Sequence, residues 1–271
     1  MKKYEVLGHE PSYLPDGEWD LVWSDEFDGT ELDRTKWDYR MSMMGLNWPA
    51  WTDEGVHLDG NSNAVFSIIL KDGRPVSSQL QTGYNFMDEP TQKTKFGESH
   101  IQWNIGKLHE HKYTHSYGYY ECRCRLQQKK GWRTAFWIQS PVIGAALDPA
   151  DTGVEIDIME CFEPGEVVAH NVFTGGYGLD MQRAKVGGVE LDKEEFHTFG
   201  LLWDETGYTF YVDGKEDGKI TEHLTARPEF ILISSEVHGY RYEDHLPVQD
   251  AYDSVGDTFV VDYIRVFDKI G

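Results

Sequence analysis

Across residues 119–126 the side chains alternate without a break. Glu121, Arg123 and Arg125 fall on one face of an extended chain, and Cys122, Cys124 and Leu126 on the other. One charged face and one apolar face mark an antiparallel strand buried on one side only. Related strand-like runs occupy residues 19–23, 56–70, 101–108, 132–138, 166–174, 196–203, 208–212, 230–237 and 259–267. Turn formers separate many of them, among them Asp59-Gly60, Glu163-Pro164-Gly165 and Asp213-Gly214. No segment sustains a helical period. Many short strands with Gly and Asp turns predict an all-β sandwich of two antiparallel sheets, of β-jelly-roll type. With no internal repeat and no linker, a single domain over 18–271 is expected, preceded by a polar, irregular N-terminal arm over 1–17.

One strand carries denser chemistry. In Glu155-Ile156-Asp157-Ile158-Met159-Glu160, strict alternation puts Glu155 and Asp157 on one face but turns Glu160 into the core. A buried, unpaired Glu is too costly to be the default. One extra residue, a β-bulge that absorbs Met159, returns Glu160 to the face of the other two acids. Paired carboxylates are the equipment for hydrolysing a glycosidic bond. The plain alternative is a structural cation site, but a strand presents its acids in a line, whereas Ca²⁺ takes oxygens wrapped around it.

Composition narrows the partners. The net charge of −22 argues against nucleic acid and anionic membranes. Nine Trp exceed what a core needs, and sugar-binding clefts use such rings. Trp48 and Trp51 sit in a Gly/Pro/Asn-rich loop over 38–55 and read either as cleft contacts or as local packing. Cys122, Cys124 and Cys161 read as buried small hydrophobes rather than a disulfide framework. His109, His111 and His115 have tempting spacing, but no carboxylate or Cys constellation completes a metal set. No apolar leader and no membrane-length apolar run is visible, which reads as cytoplasmic, or as secreted if an export signal has been removed. Glu121 and Arg123 either form cross-strand ion pairs on a solvated face or hydrogen-bond sugar hydroxyls. Lys129, Lys130 and Arg133 are candidates to hold a sulfate or acidic group.

Several pieces, in order, resemble glycoside hydrolase family 16: Trp23-Ser24-Asp25-Glu26-Phe27, Tyr117-Gly118-Tyr119-Tyr120-Glu121-Cys122-Arg123, Ala135-Phe136-Trp137, the bulged acid signature, the hairpin over 199–214, and Val261-Asp262-Tyr263-Ile264-Arg265-Val266. The resemblance spans roughly residues 19–268. It implies an open cleft on the concave face of the jelly roll and retaining cleavage of β-1,3 or β-1,4 bonds in a glucan or galactan. Glu155 would be the nucleophile, Glu160 the general acid/base, and Asp157 would hydrogen-bond the nucleophile, with Glu160 protonated and Glu155 ionised. The bulged form resembles the laminarinase, agarase and porphyranase members.

The same resemblance brings Glu121 and Arg123 on one flanking strand, and Trp132 and Trp137 on another, to the cleft. His170 is set near the acid/base, either in contact with substrate or as a satisfied structural His. Glu26 and Asp262 match positions that supply oxygens to a structural Ca²⁺ in many members, and the chemistry itself requires no cofactor. Glu236 departs from the family's usual strand end and either reads a sugar hydroxyl or caps a loop. The loops 38–55 and 84–116 are the expected determinants of substrate choice. The expected partner is a polysaccharide, bound by a monomer. A non-catalytic carbohydrate-binding jelly roll and a transglycosylase are the competing functions.

Overall fold

The computed structural model describes residues 1–93, 102–104, 109–242 and 244–270. Two antiparallel sheets face each other as a β-jelly-roll sandwich. The sheet that carries the acids runs, in spatial order, Gln182–Val186, His170–Thr174, Glu155–Glu163, Trp132–Gln139, Phe230–Val237, Gln79–Gln81 and Asp38–Tyr39. The back sheet runs Lys215–Ile220, Gly207–Val212, His197–Asp204, Gly118–Arg125, Thr258–Lys269, Ala64–Ser67 and Val56–Leu58, with Trp19–Asp25 also paired to Thr258–Lys269. Of the strand expected over 101–108, Gln102–Asn104 lies within the described residues, and 101 and 105–108 lie outside them.

The core lies between the sheets. Ile156, Ile158, Met159 and Cys161 share one buried cluster with Cys122, Cys124, Phe199, Leu201, Ile264 and Val266. The expected bulge is present, displaced by one residue. Glu160 pairs Ala135, Met159 pairs Phe136 and Asp157 pairs Trp137, so Ile158 is the residue left without a partner on that neighbour. Ile158 and Met159 are successive in sequence, and both are fully buried. Burying such a side chain is worth roughly 1.5–3 kcal/mol. An unbulged strand would turn one of them into the cleft and one acid into the core, so burial energy holds the bulge where it is.

The N-terminal segment is more ordered than an irregular arm. Lys2–Tyr4 pairs with Ser12–Leu14 as a hairpin. It lies against the outer face of the back sheet, where Leu14 clusters with Trp19, Tyr119 and Phe267. This corrects the expectation for Glu121 and Arg123. Their strand is in the back sheet, with Cys122 and Cys124 turned inward, so Glu121 and Arg123 face away from the acids. The Glu121 carboxyl is buried under the hairpin and accepts from the Tyr13 amide (3.1 Å) and the Tyr263 hydroxyl (3.0 Å). Arg123 pairs with Asp262 at 2.5 Å and lies over the Phe196 ring.

Burial pushes Glu121 up to about 7, against the hydrogen bonds from Ser12, Tyr13 and Tyr263. An acid whose folded value is raised binds its proton more tightly in the native state. The stability it adds is complete below the unfolded value near 4.5 and is lost as the pH rises through about 7. Thermal unfolding should therefore show about 3 kcal/mol of extra stability at the acid end of that window, absent in Glu121→Gln. Equal pH dependence in the two proteins would refute the assignment.

The two carboxylates expected to supply calcium ligands are engaged elsewhere. Glu26 is held by Arg265 through two hydrogen bonds of 2.9 and 2.7 Å, and Asp262 by Arg123. Guanidinium groups on both acids do not fit a cation site. Among the described residues no group of three His, Cys, Asp or Glu side chains is arranged to hold a metal.

Candidate active site

Alternation along the strands decides what reaches the cleft. On Glu155–Glu163 the bulge puts Glu155, Asp157, Glu160 and Phe162 on the open face. On Trp132–Gln139 the open face carries Arg133, Ala135, Trp137 and Gln139, and on His170–Thr174 it carries Asn171 and Phe173. These side chains line a cleft of about 470 Å³. Loops close its ends with Met43 and Met44 on one side and Tyr177 and Met181 on the other.

The three acids are partnered differently. Glu155 Oε2 accepts from Gln139 Nε2 at 2.9 Å and from the Tyr177 hydroxyl. Asn171 Nδ2 donates to Asp157 Oδ2 at 3.1 Å and to Glu160 Oε2 at 3.4 Å. Asp157 also shares a hydrogen bond with Glu160. So Asp157 leans on the expected acid/base rather than on the expected nucleophile. Burial raises Glu155, and the nearby Glu160 charge adds to that, while Tyr177, Arg40 and Gln139 favour its ionised form. Asp157 stands well above the usual carboxylate range because it is buried between two other acids. The central carboxyl therefore stores a proton one hydrogen bond from Glu160, while hydrogen bonds and a cation support charge on Glu155.

Arginines rim the cleft. Arg133 NH1 lies 3.7 Å from Glu160, and its NH2 lies 2.9 Å from Glu236. Arg241 grips the same Glu236 through two contacts of 2.7 Å. Glu236 is almost fully buried. Burial acts to raise its pKa, but Arg133 and Arg241 hold it down to about 2. It thus acts behind the cleft surface as a clamp on two guanidinium groups, rather than reading a sugar hydroxyl. Arg40 is fixed by Asp88 and lies between the rings of Trp51 and Trp137 (5.5 and 5.3 Å). Arg183 donates to Asn171 at 2.7 Å.

Four other expected contacts lie elsewhere. Trp132 is buried in the core and donates to Asp257. It is five residues from Trp137, an odd spacing that puts the two on opposite faces of one strand. Trp48 and Trp51 pack against each other in the core; only through Arg40 does Trp51 act on the cleft. His170 faces inward and stacks on Phe210. Its Nδ1 donates to the Ile158 carbonyl at 2.7 Å, tying the bulge in place. Lys129 and Lys130 line a separate groove of about 770 Å³, where Lys130 pairs with Glu163. His109, His111 and His115 have separate partners in Glu89, the Tyr84 amide and Asp268.

Sequence reasoning missed Gln139, Asn171, Tyr177, Arg40, Arg183 and Arg241. Gln139 was findable, since it is in phase with Trp137 on the same strand. Tyr177 sits in a Gly-rich turn with no signal of its own.

Close carboxyls that can share a proton at the base of an open, polar groove define the class as a jelly-roll glycoside hydrolase. The family model for the GH16 domain of β-porphyranases A–D matches residues 19–269, and the chain belongs to glycoside hydrolase family 16. A glucan endo-1,3-β-glucosidase A1 of Niallia circulans is 27% identical over 91% of this chain, which spans 37% of that protein. β-Porphyranase B of Zobellia galactanivorans is 26% identical over 79% of this chain and 72% of its own length. The laminarinase of Rhodothermus marinus has the same fold, with a TM-score of 0.67 and 22% identity over 95% of this chain and all of that one.

Proposed function

We propose that the protein is a retaining endo-β-galactanase that cuts a sulfated galactan of the porphyran kind. One observation carries the choice of substrate. In a chain of net charge −22, four of its ten arginines line the cleft, and among the described residues no lysine does. Arginine presents a planar fork that matches sulfate oxygens two at a time, and lysine does not. Each of the four is anchored by a side-chain partner: Asp88, Glu236 or Asn171. The match to the porphyranase A–D domain supports the same reading. Several relatives are named glucanases, which favours neutral β-1,3(4)-glucan as the second reading. A non-catalytic binding module would be expected to lack Glu155 or Glu160, and both are present.

The reaction follows from the acid row. Glu155 attacks the anomeric carbon while Glu160 gives its proton to the departing glycosidic oxygen, leaving a glycosyl ester on Glu155. Glu160, now ionised, takes a proton from water, whose oxygen displaces Glu155 and restores it. Asp157, hydrogen-bonded to Glu160, keeps a proton beside it throughout. A sugar acceptor in place of water would give transglycosylation, which sized products distinguish.

The test is a panel of porphyran, agarose, laminarin, lichenan and a β-1,3-galactan, with products sized. Porphyran should be cut fastest, with KM rising as salt screens the arginines. Arg133→Met should raise KM on porphyran about 10-fold or more, the loss of one charge-assisted hydrogen bond. Faster cleavage of laminarin, with no salt dependence, would favour the glucan reading.

A further inference from the structure

Behind the first residue of the acid strand lies a carboxyl that glycosidic hydrolysis leaves unused. Glu229 is fully buried. Its backbone exchanges two hydrogen bonds with His115, of 2.9 and 3.0 Å, which fixes it immediately before Phe230–Val237. Its side chain reaches the entrance of Glu155–Glu163, where Oε1 accepts the Val154 amide at 3.0 Å. Oε2 has no protein partner among the described residues. The approach is close. Gly153 has φ +72°, and a Cβ there would meet the Ser140 Cβ at 2.4 Å and Glu229 Oε1 at 3.2 Å. The Val154 carbonyl in turn accepts from the Ser140 amide at 2.9 Å. Val154 is therefore held on both sides, and the next residue is Glu155.

We propose that Glu229 is a positioning residue. Its side chain accepts the Val154 amide and so sets where the Glu155 carboxylate enters the cleft. The inference rests on the reading of Glu155 as the nucleophile. Among the described residues, the titratable groups found to act on Glu229, or to be acted on by it, are Glu155, Tyr120 and Tyr208, none of them cationic. Burial without a counter-charge pushes its carboxyl well above the usual carboxylate range, and the Glu155 charge adds to the shift. An ionised, unpaired carboxylate in this position would be far more costly than the neutral acid.

Two variants separate positioning from bulk stability. Glu229→Gln keeps the acceptor and the shape but cannot ionise. Glu229→Met keeps the volume and removes the acceptor. The Gln variant should retain the wild-type kcat, KM and acid limb of the kcat pH profile. It should melt with the wild type at about pH 5 and about 5 °C above it at about pH 9, because the native acid's stabilisation is complete below its unfolded pKa and lost as the pH rises. The Met variant should lose about 10-fold or more in kcat with KM changed less than about twofold, since a small displacement of a reacting group costs rate rather than binding.

A Gln variant with depressed kcat overturns the proposal, as does a melting difference that is the same at both pH values. A folded Met variant with wild-type kcat also overturns it. If the Met variant does not fold, the Gln variant decides on the same two readouts. The loss of kcat in Glu155→Gln tests the nucleophile reading separately, and the melting comparison needs no substrate.

Discussion

Glu155→Gln should lower kcat on any polysaccharide the wild type cleaves by on the order of 10³-fold or more, with little change in KM. An amide oxygen is a poor nucleophile at an anomeric carbon, so the glycosyl ester cannot form. The substitution keeps an acceptor for Gln139 and preserves the packing around Tyr177. The melting temperature should therefore stay close to wild type, which separates lost chemistry from lost fold. A Glu155→Gly variant supplied with azide should regain turnover and release a glycosyl azide of inverted configuration, because a small anion then occupies the carboxylate's place. Residual activity above about a tenth of wild type in Glu155→Gln would remove Glu155 from the mechanism.

Loss of the proton donor should depend on the leaving group. Glu160→Ala should slow cleavage of the polysaccharide by about 10²- to 10⁴-fold. An aryl glycoside with an acidic phenol, whose departure needs no proton, should still load Glu155 at a near-normal rate. Its hydrolysis should then stall at the second step, where a base is missing, and give a burst. Products of the wild type, followed by NMR before mutarotation, should carry the β configuration. Equal losses on both substrates, or α products, would overturn the assignment of Glu155 and Glu160. Asn171 bridges Glu160 to Asp157, so its removal should alter the pH profile more than KM.

Much of the acid strand is legible in its residues alone. The cost of a buried, unpaired Glu requires a bulge between Asp157 and Glu160, and the bulge is there. Its position is finer than that argument reaches. Ile158, not Met159, lacks the cross-strand partner, because the register is set jointly by Phe136 and by the His170 contact to the Ile158 carbonyl. The misplaced Trp132 shows a different gap. Its aromatic character drew it toward the cleft, although its odd spacing from Trp137 already put it on the other face. Periodicity within one strand outweighs residue type, since the pleat turns every second side chain away.

Glu121 and Arg123 show where periodicity itself stops. Alternation correctly separates them from Cys122 and Cys124. It cannot say that their strand belongs to the back sheet, nor that the hairpin of Lys2–Tyr4 and Ser12–Leu14 covers them. Glu236 is similar. Its strand and face are readable, but its partners come from Arg133, on the neighbouring strand, and Arg241, on the loop beyond its own.

Local geometry and the cost of burial act within a few residues of chain, and what they control can be read from the residues: an all-β chain, the phase of each strand, a bulge, and three acids on one face. Which strands share a sheet, which charged face meets substrate and which meets another segment, and which arginines converge on the acids emerge only with the closed sandwich. Those outcomes depend on pairings between residues up to 255 positions apart, as between Glu10 and Arg265. No local pattern encodes such pairings, because hydrogen bonds between distant segments become favourable only once the whole sandwich has closed.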